Sequence, residues 1–338
     1  MSVALVTGAT GLVGSHIVDR LLADGWTVRA LARSSARARE MLPNDVEIVP
    51  GDVLDEASFT RAATATHVIF HAAANVIARG GWNAYRVTNV DGTRNAIMAA
   101  ERARARLLHV SSVAVYGPKG RYEAAKRGER TDESTILEPL RDSAFYARSK
   151  RESEAMVLDA HRQGRIWSTA VRPDVIYGPR DRQFVPRMAK LVRRGVIPLI
   201  NGGRSTMAIV HAANVAEGAV RAATLDIAGG KAYNLANDYD VSVRRFFELA
   251  GEGLGRRPLF IPLPMWAAKG VLRGVKWITR AVSRGRLSMI GSSALDFVSQ
   301  DNPFSSERAR RELGWSPVVR PEIGIPEAFR SWKTIAGK

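Results

Sequence analysis

Cysteine is missing from all 338 residues, which excludes disulfides and thiolate zinc sites and makes a reducing cytoplasm the expected compartment. No uninterrupted apolar run approaches the roughly 20 residues that span a bilayer. The six histidines show no metal-ligand spacing, so no metal is expected. His71 and His109 fall at strand ends and His211 precedes a helix, positions that read as structural. There is no internal repeat and no low-complexity linker. The chain opens on the strand Val3-Ala4-Leu5-Val6, without the basic and apolar stretches of a signal peptide, and none is expected. Acidic residues are in short supply, 33 against 50 basic ones, for a net charge of +17. Such a balance raises nucleic acid, anionic membranes and acidic ligands as partners. The arginines are dispersed, and no zinc finger or aromatic RNA-binding signature accompanies them, so nucleic acid is not an expected partner.

The remaining composition is that of a globular protein, 46% hydrophobic and 25% charged, with length for one large domain and a smaller addition. Apolar strands alternate with amphipathic helices over the first two-thirds. Strands are read at 3–6, 27–32, 46–49, 67–71, 107–110 and 168–171, and the first helix at 14–24. This alternation predicts an α/β fold, a Rossmann-type doubly wound parallel sheet with right-handed crossovers. The dinucleotide-binding domain is assigned to 1–178, with sheet contributions continuing to about 236. Beyond 178, Pro179, Pro186, Pro198 and Gly202-Gly203 break the periodicity. Residues 179–338 are read as a smaller mixed substrate-binding region with lid helices.

Gly8, Gly11 and Gly14 stand as G-x-x-G-x-x-G between the first strand and its helix. Gly8 permits the tight turn, Gly11 lets backbone approach phosphate, and Gly14 allows close helix–strand packing. Thr10, Leu12 and Val13 complete this turn, and the helix start offers free N–H groups to a pyrophosphate. The second strand ends in Leu31-Ala32-Arg33, followed by Ser34, Ser35 and Arg37. An acidic residue there would hold a ribose 2′-hydroxyl, whereas an arginine suits a 2′-phosphate. NADP(H) is therefore the expected cofactor, with NAD(H) as the alternative. Asp52, beside Val53, is placed to accept from an adenine amine. Ala72, Ala73 and Ala74 let backbone approach the cofactor.

Tyr146 and Lys150 lie one helical turn apart on one face. A phenol is too weak a base at neutral pH unaided, and a nearby ammonium favours its ionised form. A second pair with this spacing, Tyr122 and Lys126, sits in a charged stretch ten residues after Ser112 and reads as a solvated coincidence. The ordered motifs Gly51-Asp52-Val53, His71-Ala72-Ala73, Asn89-Val90-Asp91-Gly92-Thr93, Ser111 to Gly117, Tyr146-x-x-x-Lys150, Arg172-Pro173 and Leu313-Gly314-Trp315-x-Pro317 resemble an extended short-chain dehydrogenase/reductase of the NAD-dependent epimerase/dehydratase superfamily. The resemblance covers nearly the whole chain. It implies that Tyr146 moves the hydroxyl proton, Lys150 bonds the nicotinamide ribose, Ser112 holds the substrate oxygen and Asn89 supports the site. It also implies cofactor contacts from Ser111, Pro173 and Val175.

Within that superfamily, departures narrow the chemistry. The acid–base carboxylate pair that 4,6-dehydratases carry after the serine is replaced by Val113 and Ala114. The arginine–aspartate pair that sugar-nucleotide epimerases present before a histidine like His211 is absent from Met207-Ala208-Ile209-Val210. The segment His211 to Glu217 is more similar to the hydroxysteroid-dehydrogenase and dihydroflavonol-reductase branch. Hydride transfer on a steroid-like, flavonoid-like or β-keto substrate is the expected reaction. An NAD-dependent sugar-nucleotide epimerase is the alternative, and a non-catalytic dinucleotide-binding scaffold comes third. A homodimer is expected.

Between Glu252 and Asp296 no acidic residue occurs. Lys269, Arg273, Lys276, Arg280 and Arg284 recur at helical spacing beside Leu272, Val275, Ile278 and Val282. Such a segment, over 265–290, is expected to cap the substrate pocket or to pair with another subunit. Peripheral contact with an anionic membrane is the alternative.

Overall fold

The computed structural model describes residues 2–77, 80–117, 128–267 and 297–336. Tyr122 and Lys126, and the basic stripe from Lys269 to Arg284, lie outside the described residues.

Seven parallel strands form the main sheet: β1 (Val3–Thr7), β2 (Thr27–Ala32), β3 (Glu47–Pro50), β4 (Val68–His71), β5 (Arg106–Val110), β6 (Ser168–Pro173) and β10 (Ala232–Leu235). Their spatial order is β10-β6-β5-β4-β1-β2-β3, and two short strands, β7 (Val175–Tyr177) and β9 (Ile209–His211), lie outside this sheet. The order reverses between β1 and β4, whose registers join Thr7 to His71. In such a sheet the crevice beyond the strand ends at that reversal is where a ligand fits.

Both faces are covered, which explains strands with little polar alternation. Ala4, Val6, Val28, Ala30 and Phe70 point to one side, into a cluster with Ile17, Val18, Val215 and Ala219 of the helices Leu12–Ala23 and Ala212–Thr224. Leu5, Leu31, Ile69 and Leu107 point to the other, against Phe59, Ala96, Ile97 and Val157 of Glu56–Ala63, Gly92–Ala103 and Phe145–Arg162. Each fully buried Leu, Ile or Phe contributes roughly 1.5–3 kcal/mol.

The compact unit around this sheet comprises residues 1–176, 210–238 and 304–319. A second unit comprises 177–209, 239–303 and 320–338. Within it, helices Val243–Leu254 and Pro321–Ala336 pack together closely, Gly253 lying where a Cβ would meet the Pro326 carbonyl at 2.4 Å. The same unit holds a two-stranded parallel ribbon, β8 (Val196–Ile200) with β11 (Leu259–Leu263). No described helix is long and apolar enough to cross a membrane.

Candidate active site

The glycine-rich turn occupies the reversal point of the sheet. Gly8 has φ +66°, and a Cβ there would lie 2.7 Å from the Ala73 nitrogen. A Cβ on Gly14 would lie 2.2 Å from the Gly8 carbonyl oxygen, so only glycine lets the helix start this close to β1. Gly11 donates to that carbonyl at 2.8 Å and is exposed, with no other atom crowding it. No side chain caps the helix beginning at Leu12. The first-turn N–H groups, including those of Val13 and Gly14, therefore form an anion cradle. Thr10 flanks it, half-buried.

Ala72, Ala73 and Ala74 follow β4, across from this turn, and the Ala73 N–H donates to Thr7 Oγ1 at 3.3 Å. Arg33 follows β2 and is exposed, with no acidic neighbour through Arg37. Ser34 Oγ accepts from the Arg37 N–H at 3.3 Å. Asp52 follows β3, half-buried. Its Oδ1 already accepts from the Leu54 N–H at 3.0 Å, and the Val53 carbonyl is held by Asn95 Nδ2 at 2.9 Å. Thus the turn, the alanines, Arg33 and Asp52 line the carboxyl ends of neighbouring strands.

The second group gathers past β5. Ser112 begins a single 3₁₀ turn, Val113–Tyr116, its Oγ accepting from the Ala114 N–H at 3.1 Å. The same hydroxyl lies beside the phenol of Tyr146, in the first turn of Phe145–Arg162, and favours its ionised form. One turn on, Lys150 is buried and its Nζ donates to the Val110 carbonyl at 2.6 Å. Ser111 is buried beside it, its N–H bonded to Val171 of β6 at 2.8 Å. Pro173 and Val175 continue from β6, where Val171 pairs with Val110.

Asn89 sits in a widened π turn, Val87–Asp91, that interrupts the helix pair on either side. Its amide accepts from the Asn75 N–H at 2.7 Å, and donates to the Asn75 carbonyl at 3.0 Å and to Ser149 Oγ at 2.9 Å. Ser149 in turn donates to the Tyr146 carbonyl at 2.8 Å. Asn89 thus grips the backbone before and behind the phenol rather than the phenol itself. Asn75 and Ser149 were not singled out in the sequence, although Ser149 lies within the Tyr–Lys motif.

Burial governs the electrostatics here. It pushes the Lys150 ammonium down to about 8, while Glu154 one turn further along opposes the fall. It also raises the Tyr146 phenol, with Tyr85 adding to the rise and the Ser112 hydrogen bond opposing it. Behind them His71 and His109 stack with centroids 5.7 Å apart. Burial, and then the Lys150 charge, pushes His71 down to about 3 and His109 well below its ordinary value. His71 spends its ring nitrogens on Thr7 at 2.9 Å and Thr93 at 3.2 Å. No group of acidic or histidine side chains among the described residues forms a metal site.

Arg172, noted in the sequence only as part of a motif, holds these pieces together. Its Nε lies 3.0 and 3.1 Å from the two carboxylate oxygens of Glu154, and its Nη1 donates to the Tyr116 hydroxyl at 2.8 Å. That hydroxyl donates to Asn234 Oδ1 at 2.9 Å, and the Asn234 N–H donates to Glu133 at 2.6 Å. Burial pushes the Tyr116 phenol up to about 12, against the pull of the Arg172 charge. Independently, Arg151 Nε donates to the Val115 carbonyl at 3.1 Å. The Ser112 segment and the Tyr146 helix are therefore tied together by two arginines.

Comparison with known proteins gives a consistent picture. A 4-hydroxy-2-methyl-3-oxo-4-farnesyl-3,4-dihydroquinoline-1-oxide ketoreductase of Stigmatella aurantiaca is 30% identical over 95% of this chain and 93% of its own. A 2-alkyl-3-oxoalkanoate reductase of Shewanella oneidensis is 26% identical over 96% of this chain and 85% of its own. The solved UDP-glucuronic acid 4-epimerase of Bacillus cereus, in complex with NAD, superposes with a TM-score of 0.72. The superposition covers 98% of this chain and 99% of the epimerase, at 18% identity, a likeness of fold. Residues 4–236 match the NAD dependent epimerase/dehydratase family. This chain belongs to that family and is an extended short-chain dehydrogenase/reductase.

Proposed function

We propose that this oxidoreductase uses NADP(H) to interconvert a ketone and a secondary alcohol on a lipophilic or neutral substrate. The observation that carries the reading is the placement of Tyr146 beside Ser112 and one helical turn from a buried Lys150 whose Nζ is fixed on the Val110 carbonyl.

The uncapped helix start and the open side of Gly11 fit a pyrophosphate, and the exposed Arg33 fits a 2′-phosphate. The nicotinamide, when bound, carries the hydride. An ammonium has three donors, so with one on Val110, Lys150 retains two for ribose hydroxyls. A carbonyl oxygen set between Ser112 and Tyr146 accepts hydrogen bonds from both. As hydride adds to the carbonyl carbon, the Tyr146 proton moves to the oxygen and leaves a phenolate beside the Lys150 charge. Solvent then restores the proton. A phenol raised above its ordinary value is fully protonated at neutral pH, which suits it to act as the acid in reduction.

Elimination is disfavoured because Val113 and Ala114, directly after Ser112, offer no carboxylate. The substrate class follows the names of the Stigmatella and Shewanella relatives, a farnesylated quinoline ketoreductase and an alkyl-oxoalkanoate reductase. Each acts on an oxo compound bearing a hydrocarbon chain.

The test is titration of purified protein with NADPH and NADH, after mass spectrometry for copurified dinucleotide, followed by NADPH oxidation with 2-alkyl-3-oxoalkanoates. Tight, exchangeable NADPH binding and ketone-dependent oxidation are expected. Copurified NAD that does not exchange would replace this reading with the sugar-nucleotide epimerase.

A further inference from the structure

The net charge of the chain is unevenly distributed. The second unit holds 21 of the 50 basic residues but only 8 of the 33 acidic ones, so it carries 13 of the 17 net positive charges. Within this unit the β8–β11 ribbon has one inward face, where Ile197 and Leu199 are buried and Arg244 lies 4.8 Å over the Phe260 ring. Its other face turns outward. Alternation along each strand puts Val196 and Pro198 on that face from β8, and Leu259 and Ile261 from β11. The register sets Val196 directly against Leu259 and Pro198 against Ile261. Val196, Leu259 and Ile261 are 46%, 62% and 46% exposed.

Because the two strands are parallel, their starts lie together, joined by the Leu259 N–H on the Gly195 carbonyl at 2.8 Å. Arg194 stands just before β8, and Arg256 and Arg257 just before β11, all exposed. None of these three pairs with a carboxylate among the described residues. The result is a small dry face with a cationic end.

We propose that this outward face of the β8–β11 ribbon docks on a bilayer containing anionic lipid. Two features point to lipid among anionic partners. Val, Pro, Leu and Ile side chains gain from burial in the acyl boundary, whereas a nucleic acid offers phosphate but no apolar depth beside it. The arginines, meanwhile, meet headgroup phosphates at the same level. The docking stands without the redox assignment, since no catalytic group takes part.

Flotation of the full-length protein with vesicles tests it, comparing phosphatidylcholine alone with phosphatidylcholine containing 30% phosphatidylglycerol (a chosen test composition of roughly physiological anionic content). Wild type is expected to float with the anionic vesicles only, less so as salt rises. Each of Arg194→Ala, Arg256→Ala and Arg257→Ala is expected to weaken partitioning about fivefold. Leu259→Ser with Ile261→Ser is expected to weaken it by tenfold or more. Every substituted side chain is exposed, and an unchanged Tm and near-UV spectrum verify folding. Vesicle binding undiminished in both sets of variants overturns the proposal, because the contact then lies elsewhere. Retained binding in the Leu259→Ser, Ile261→Ser variant, with heparin bound as tightly as vesicles, also overturns it in favour of a general polyanion site.

Discussion

Arg172 and Glu154 form a buried ion pair, and the same guanidinium reaches the Tyr116 hydroxyl. Glu154 lies one turn beyond Lys150, and Tyr116 closes the turn that Ser112 begins. One side chain thus spans the two segments that carry Ser112 and Tyr146. Tyr116→Phe removes the link to the Ser112 segment, together with the hydroxyl's bond to Asn234, and keeps the Arg172–Glu154 pair. It is expected to cost about 1.5–3 kcal/mol in urea unfolding and to lower kcat about tenfold, with little change in the Kd for NADPH. Glu154→Gln leaves a buried cation uncompensated and is expected to cost about 3–5 kcal/mol. An unchanged kcat in Tyr116→Phe would show that the Arg151 link alone holds the alignment.

Tyr146→Phe keeps the ring and removes the proposed proton donor. Turnover is expected to fall about 10²–10⁴-fold, while NADPH affinity measured by fluorescence changes less than about twofold, within the scatter of a surface-neutral change. Comparable turnover in the variant would remove Tyr146 from the chemistry.

The proposed preference for NADP(H) rests on the arginine after β2. Arg33→Glu is expected to weaken NADPH by roughly 10–100-fold, the loss of a charge-assisted phosphate contact plus repulsion, and to leave NADH within a few-fold. Equal losses for both would make Arg33 a surface charge.

Lys150 loses its charge as pH rises through about 8, so kcat/KM for reduction is expected to fall above that pH. Lys150→Arg, which stays charged, is expected to lack this alkaline limb. The sign for stability is opposite. The folded-state value lies below that of the unfolded chain, so burial of the ammonium opposes folding at neutral pH, and the penalty disappears as pH rises from about 8 past the ordinary lysine value. Lys150→Met is therefore expected to stabilise the protein at pH 7 by about 1–3 kcal/mol, offset in part by the stranded Val110 carbonyl.

His71 and His211 titrate near 3 and His109 well below its ordinary value, in each case chiefly through burial. All three stay neutral while the unfolded chain takes up protons below about pH 6.5, so stability is full above that pH and is lost as pH falls toward 3. His71 and His211 are each expected to remove about 2 kcal/mol between pH 7 and 5, and His109 acts in the same direction. Urea midpoints at the two pH values, for wild type and His109→Gln, measure the slope. Parallel, pH-independent midpoints would show that these rings take up protons as readily in the native state as in the unfolded chain.

Features written into consecutive residues were legible. The glycine turn, the Tyr–Lys spacing and the strand-end positions of Arg33, Asp52 and Ala72–Ala74 follow from local pattern, and so does the sheet itself. Features made by distant pairs were not. Arg172 finds Glu154 and Tyr116 only once β5 and β6 pair. The π turn at Asn89 adds one residue to a helix whose periodicity is otherwise unbroken, which an apolar count does not register. The β8–β11 ribbon was invisible because its strands are short, rich in proline and exposed on one side. The sequence pattern groups Phe304–Val319 with the C-terminal region, yet this stretch packs in the sheet unit. There Asn214 Oδ1 accepts from the N–H groups of Val318 and Val319 at 2.8 Å each, and Trp315 Nε1 donates to the Asn214 carbonyl at 2.9 Å.

That last arrangement governs the order in which the protein is made. The sheet unit is assembled from three stretches of chain, and the third ends at Val319. A nascent polypeptide that has left the ribosome only through Asp238 has all seven strands, and Asp238 to accept from Asn214 Nδ2, but no donor for the Asn214 carboxamide oxygen and no indole beside helix Ala212–Thr224. At about 5–20 residues per second, several seconds separate the last strand from the segment that completes it. Through that interval the sheet has all its strands but the unit lacks its third stretch, while more than half of the second unit emerges.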